Sequence, residues 1–139
     1  GSVDEIWMDQ VLGHLRETVQ VLEELWRISK NGADIHIGVP YFRSFYQAID
    51  PTMIRAFCTR SFDFFNPEGE LFKKYSYSKA KFTLEKLEFD REWKESPQGM
   101  RPFHKCLVKL AESRPHFYEE RLSHLFPLNS MTFHLKVVK

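Results

Sequence analysis

The chain is predicted to be an α/β domain of about four strands, parallel at the start and antiparallel at the end, flanked by helices. Three observations carry that reading. Val3–Phe42 runs as strand, short loop, helix, glycine stop and strand, which is one βαβ unit, and two strands joined by a helical crossover run parallel. Met131–Val137 closes the chain with Met131, Phe133, Leu135 and Val137 in strict alternation, the signature of a half-buried strand. Between them lie amphipathic helical stretches and one imperfect strand.

Taken in order, Val3–Met8 is a short β-prone run holding Ile6 and Trp7. Thr18–Lys30 places Val21, Leu22, Leu25 and Ile28 on one helical stripe, and Asn31-Gly32 supplies a left-handed stop. Ala33–Val39 alternates with Ile35, Ile37 and Val39 on one face before Pro40 ends it. The aromatic stretch YFRSFYQAID follows as a loop. Asp50-Pro51 has the form of an N-cap followed by proline at the first helical position, which predicts a helix from about Pro51 to Thr59. Arg60–Phe65 carries SFDFF, and Asn66–Gly69 is a turn cluster. Tyr75–Phe89 reads as a strand with Phe82 and Leu84 on one face and Leu87 and Phe89 on the other. One extra residue near Lys86, a bulge, accounts for the switch. After a loop over Glu95–Pro102, Phe103–Ser113 is an amphipathic helix, and Pro115 opens a further helix through His124 with Tyr118, Leu122 and Leu125 inward.

The 139 residues suit one domain over 3–139, with Gly1-Ser2 reading as a cloning remnant. Apolar residues at 42% and charged ones at 28% are an ordinary globular balance, and the net charge of +1 selects neither nucleic acid nor membrane as partner. Phenylalanine is abundant, at 13 residues, which suits either a large core or apolar surface awaiting a partner. Cys58 and Cys106 match no metal spacing and read as free thiols in a reducing compartment, so a cytoplasmic location is expected. No apolar run approaches the ~18 residues of a membrane span. The six histidines show no HExxH or His/Cys pairing, so no metal is expected.

The opening third resembles the second half of a class I S-adenosylmethionine-dependent methyltransferase. An acidic residue opens a strand that leads into Val11-Leu12-Gly13-His14-Leu15; a Leu-Glu-Glu helix ends Arg27-Ile28-Ser29-Lys30-Asn31-Gly32; the next strand ends Val39-Pro40. Downstream, YF…DPT…RAF, SFDFF and the closing VVK resemble one uncharacterised branch of methyltransferase-like proteins. The resemblance implies a Rossmann-like sheet of seven strands, of which this chain would supply strands four to seven, with one reversed strand in the final pair. It also implies S-adenosylmethionine as cofactor of the intact family. Yet the glycine-rich turn after a first strand and the ribose-holding acid are absent: glycines stand at 1, 13, 32, 38, 69 and 99, no two within three residues. Gly13 also replaces the acidic residue usual before the histidine. Three βα units of ~30 residues each are therefore expected ahead of Val3, cut away or missing from a short gene. On that expectation the chain is a truncated, substrate-side half that binds no cofactor alone, and its Val3–Met8 strand, bare on one side, pairs two chains into a homodimer.

Asp9, Gln10 and His14 would sit at the carboxyl end of the first strand, where open α/β sheets bind ligands, and the resemblance makes them cofactor-side residues; otherwise they are a solvated loop and a packing histidine. Tyr41, Arg43 and Tyr46, with Phe42, form a second loop at that end, suited to hold a substrate by stacking and cation–π contact, or to fold over the sheet edge as core. Asp50 reads as a helix cap rather than a base, and Arg55 as a surface or ion-pair residue. Phe72–Phe82 holds Lys73, Lys74, Lys79 and Lys81, two tyrosines and no acid. That suits a nucleic-acid surface, or an edge segment whose lysines discourage pairing, and the balanced overall charge favours the latter. No residues form a recognisable catalytic set, so two functions stand: half of a methyltransferase-like protein, or a non-catalytic module that dimerises or binds a partner such as RNA.

Overall fold

The computed structural model describes all of residues 1–139. Its strands are β1 (Val3–Asp9), β2 (Ser29–Pro40), β3 (Phe82–Phe89) and β4 (Ser130–Val137), in the spatial order β1-β2-β4-β3. β1 and β2 pair in parallel, while β4 runs antiparallel to both β2 and β3. This is the predicted α/β architecture, parallel first and antiparallel last.

The connection between β1 and β2 is α1 (Thr18–Ile28), which buries Leu22 and Leu25. It stops earlier than its composition suggests. Ser29 is already extended, and both its N–H and its hydroxyl, the latter at 2.7 Å, donate to Leu25 O, closing the last turn. Gly32 keeps the left-handed backbone expected of it, φ +80°, but inside β2. There the chain loops out of the ladder: Val3 pairs with Ser29, yet Glu5 already pairs with Asp34.

The bulge in β3 lies between Leu84 and Lys86, which pair with the consecutive residues Leu135 and His134. It brings Phe82 and Leu87 to the same side of the sheet. The predicted strand start is too early, however. Tyr75 closes α3 (Glu70–Tyr75), and β3 begins only at Phe82.

No helix forms over Pro51–Thr59. Asp50 Oδ1 accepts from both the N–H and the hydroxyl of Thr52, an Asx turn. Met53 N donates to Asp50 O at 3.2 Å to close one turn, and the two amides after it find partners elsewhere. Ile54 and Arg55 donate to Gly13 O at 2.9 and 3.2 Å, so the segment is tied to the loop after β1 instead of to its own preceding turn. The helix of this region lies earlier, α2 (Phe45–Ile49), with Ser44 as N-cap accepting from Tyr46 N at 3.1 Å.

One core of 24 residues lies on one face of the sheet. It joins Ile35, Ile37 and Val39 of β2 to Phe133, Leu135 and Val137 of β4. Phe62 meets the Phe133 ring at 4.6 Å, and Phe65 meets Phe82 at 6.1 Å, which is how the SFDFF segment roofs the core. After the single-turn helix α4 (Arg91–Lys94), α5 (Pro102–Ser113) adds Leu107, Val108 and Ala111, and α6 (Pro115–Arg121) adds Tyr118. Leu125, expected inward, is 63% exposed beyond the end of α6. The opposite face is polar: Trp7 stacks on His36 at 4.1 Å, and His36 meets His134. No helix is long and apolar enough to cross a membrane.

Candidate functional site

Because β4 is reversed, its amino end meets the carboxyl ends of β1, β2 and β3. Four loops converge there around a cleft of about 680 Å³, within the range of small-molecule sites. β1 delivers Asp9 and Gln10, β2 delivers Pro40, the turn after β3 delivers Glu92 and Trp93, and the approach to β4 delivers Asn129 and Ser130. His14, Tyr46, Asp50 and Met53 close the rim.

Local backbone strain marks two of these junctions. Gln10 has φ +57° and donates its N–H to Gly38 O at 2.8 Å, turning the chain sharply off β1. Gly38 leaves room for Asp9, whose Oδ1 would lie 2.3 Å from any Cβ there. Asp90 has φ +49° and is fully buried directly after β3. Its Oδ1 accepts from Asn129 N at 2.7 Å and Ser130 N at 2.9 Å, and His104 Nε2 lies 2.6 Å from Oδ2. One buried carboxylate thus ties the end of β3 to the start of β4 and sets the back wall of the cleft.

The rim is anionic. Asp9, Asp50 and Glu92 line it with no lysine or arginine among the lining residues. Glu92 accepts from Ser130 Oγ at 2.7 Å. Hydrogen bonds from the Thr52 hydroxyl and then the Thr52 N–H hold the Asp50 carboxyl below its ordinary range, with His14 adding to the effect. Since Thr52 Oγ1 donates to Asp50, it accepts from His14 Nδ1 at 2.9 Å, leaving His14 Nε2 3.6 Å from Asp50 Oδ2. Gly13 is where this loop packs tightest, because a Cβ there would meet Met53 Sδ at 2.4 Å.

Asp9, Gln10, His14 and Tyr46 therefore stand together in the cleft. Tyr41 and Arg43 do not line it. Tyr41 is fully buried, and its hydroxyl donates to Glu119 of α6 at 3.1 Å. Burial pushes that hydroxyl far above the usual tyrosine range, so it stays a donor. Arg43 donates to Ser123 Oγ at 2.9 Å and covers the Phe42 ring at 4.8 Å. Glu119 also accepts from the Thr59 N–H and hydroxyl, so these residues weld the aromatic loop to α6. Sequence reasoning missed Glu92, Trp93, Asn129 and Ser130. Glu92 and Trp93 lie three and four residues beyond the end of β3, on the loop at the same end of the sheet as Asp9 and Gln10, and that shared position was the available signal.

Trp93, Gln98 and Asn129 also wall a neighbouring cavity of about 770 Å³, lined by Met100, Phe103, His104 and Phe126. It is the more apolar of the two and lies away from the ends of β1 and β2. No group of three or more His, Cys, Asp or Glu side chains is placed to hold a metal ion.

No protein-family model matches the chain, and no curated protein matches it in sequence. Solved structures do. A SAM-dependent methyltransferase from Archaeoglobus fulgidus superposes with a TM-score of 0.51 at 16% identity, over 97% of this chain and 59% of that one. The [4+2]-cyclase SpnF superposes with a TM-score of 0.50 at 13% identity, over 99% of this chain and 50% of that one. The chain spans between half and three fifths of the length of these structures. At such identities the likeness is one of fold, and the fold of this chain is methyltransferase-like.

Proposed function

We propose that this chain is the substrate-side part of a methyltransferase-like protein, and that the cleft at the strand ends receives the molecule to be modified. The observation that carries the proposal is the convergence of Asp9, Gln10, His14, Tyr46, Glu92 and Trp93 on that cleft, at the sheet end where open α/β folds take ligands. Tyr46 and Trp93 offer ring faces, and the carboxylates favour a neutral or cationic group over an anionic one. The residues present do not fit the whole of S-adenosylmethionine. Its carboxylate would meet no lysine or arginine in the cleft lining, and the loop after β1 holds Gly13 alone, its free side filled by Met53. We therefore assign no transfer step to this chain. Titration calorimetry with S-adenosylmethionine tests the reading: no heat of binding at about 100 μM ligand is expected, and micromolar affinity would sink it.

A second reading, the dimerising module, rests on β1. It is an edge strand paired on one side only, and its Trp7 is 49% exposed. On this proposal two copies pair through that edge. Glu5 and Asp9 repel across such a contact, Asp4 being offset by Lys30 at 2.8 Å, so the dimer fraction rises with salt. Light scattering at high micromolar concentration that reads a monomer mass in both 50 and 500 mM salt would rule it out.

A further inference from the structure

Lys73, Lys74, Tyr75, Tyr77, Lys79 and Lys81 share one ordered surface segment that the cleft does not use. α3 ends at Tyr75, and Ser76 takes a left-handed backbone, φ +47°, with its N–H donated to Phe72 O at 3.0 Å. That turn folds Tyr77 back onto Tyr75, ring centroids 5.6 Å apart and planes 16° from parallel. Phe64 supports both rings from behind, at 5.8 and 5.4 Å. Ser78 Oγ then donates to Glu23 of α1 at 2.8 Å, which pins the segment to the body of the protein. The rings are held in place, yet they stay 44% and 65% exposed.

The ion pairs formed by lysines involve Lys30, Lys94 and Lys136, and none of the four lysines here. Lys74 Nζ instead lies 5.3 Å from the Tyr75 ring centre. Guarding a sheet edge explains only Lys81, which adjoins the edge strand β3 and whose carbonyl accepts from Val138 N at 3.0 Å; Lys73 and Lys74 ride on α3, and Lys79 lies in the turn before β3. Packing does not account for the exposure of the tyrosines: Tyr77 is the more open of the pair, while the Tyr75 ring lies between Tyr77 and the Lys74 ammonium.

We propose that this surface binds single-stranded nucleic acid, with unstacked bases laid on the Tyr75–Tyr77 pair and the four lysines on the phosphates. A duplex hides its base faces and offers nothing to the tyrosines. An acidic peptide would engage the lysines and leave the rings idle. The inference is independent of the cleft.

The test is fluorescence anisotropy with a labelled oligouridine 12-mer. Four phosphate contacts at about 0.7 counterions each give a log–log salt slope near −3, so affinity falls about fiftyfold between 50 and 200 mM KCl. Tyr77→Ala should weaken binding about tenfold with the slope unchanged. Lys73→Gln with Lys74→Gln should cut the slope by about half. Tyr77→Leu keeps apolar bulk against Phe64 and should lose as much as Tyr77→Ala, which separates stacking from folding. The inference is overturned by no binding at 100 μM protein in 50 mM KCl, by equal affinity for a duplex of the same length, or by polyglutamate competing equally while Tyr77→Ala binds like the parent.

Discussion

Replacing Asp90 tests how the cleft is built. Its carboxylate is fully buried and receives two backbone amides, those of Asn129 and Ser130, plus His104. A hydrogen bond to a charged group contributes about 1.5–3 kcal/mol net, and a buried donor left without a partner costs about 1–3 kcal/mol. Asp90→Ala removes the acceptor from two amides at once, so a loss of about 4 kcal/mol is expected, a large share of a typical domain's 5–15 kcal/mol. With a urea slope of roughly 1.5 kcal/mol/M, the midpoint falls by about 2–3 M. Asp90→Asn keeps one acceptor oxygen and tolerates the left-handed backbone, so it should lose roughly half as much. Asp90→Gly also forfeits the carboxylate but relieves the φ of +49°, and should unfold later than Asp90→Ala by about 1 kcal/mol. The assay is urea denaturation followed by tryptophan fluorescence. An Asp90→Ala midpoint within about 0.5 M of the parent would show that this carboxylate does not hold β3 to β4 as argued.

Two further predictions follow from buried polar groups. Tyr118 is fully buried; its hydroxyl donates to Phe126 O at 2.9 Å and accepts from Leu128 N at 2.7 Å. Burial raises that hydroxyl far above the ordinary range, so it donates at any working pH. Tyr118→Phe should cost about 2 kcal/mol by leaving the Leu128 amide unpaired, read as a shift in the same denaturation curve. On the polar sheet face, burial chiefly holds the His134 imidazole below its ordinary value, against the pull of Glu88. With His134 neutral, its Nε2–H donates to Glu88 at 3.1 Å and its Nδ1, 2.6 Å from His36 Nδ1, is free to accept. The folded state then binds fewer protons than the unfolded one, so this contribution is complete above about pH 6.5 and is lost as pH falls below it. Glu88, held down by His134 and Lys94 despite its burial, loses its own contribution only below about pH 4.3. The parent should therefore lose more stability than His134→Gln between pH 7.5 and 5.5, and equal losses would contradict the assignment.

The parts legible in the sequence are those with a strong period. Ile35, Ile37 and Val39 announced β2, Phe133, Leu135 and Val137 announced β4, and the parity break between Leu84 and Leu87 announced the bulge. What misled is the stretch from Tyr41 to Phe65, whose amides are satisfied at a distance. Phe42 and Phe57 pair backbones, Ile54 and Arg55 reach Gly13, and Thr59 reaches Glu119, so Asp50-Pro51 caps no helix. Half of the cleft was legible, because Asp9, Gln10 and His14 follow directly from where β1 ends. The other half depends on topology: only the reversal of β4 carries Asn129 and Ser130 beside Glu92 and Trp93. Tyr41 and Arg43 stand just ahead of α2, which carries Tyr46, yet hydrogen bonds to half-buried Glu119 and buried Ser123 draw them away from the cleft.

The central claim is that the strand-end cleft is where this protein takes a ligand, and the most direct measurement is a fragment screen by ¹H–¹⁵N chemical-shift mapping. Amine-bearing and neutral fragments should move the amides of Gln10, His14, Tyr46 and Asn129 together with the Trp93 indole N–H, while carboxylate-bearing fragments leave them still. Shifts confined to other surfaces, or a preference for anionic fragments, would contradict it.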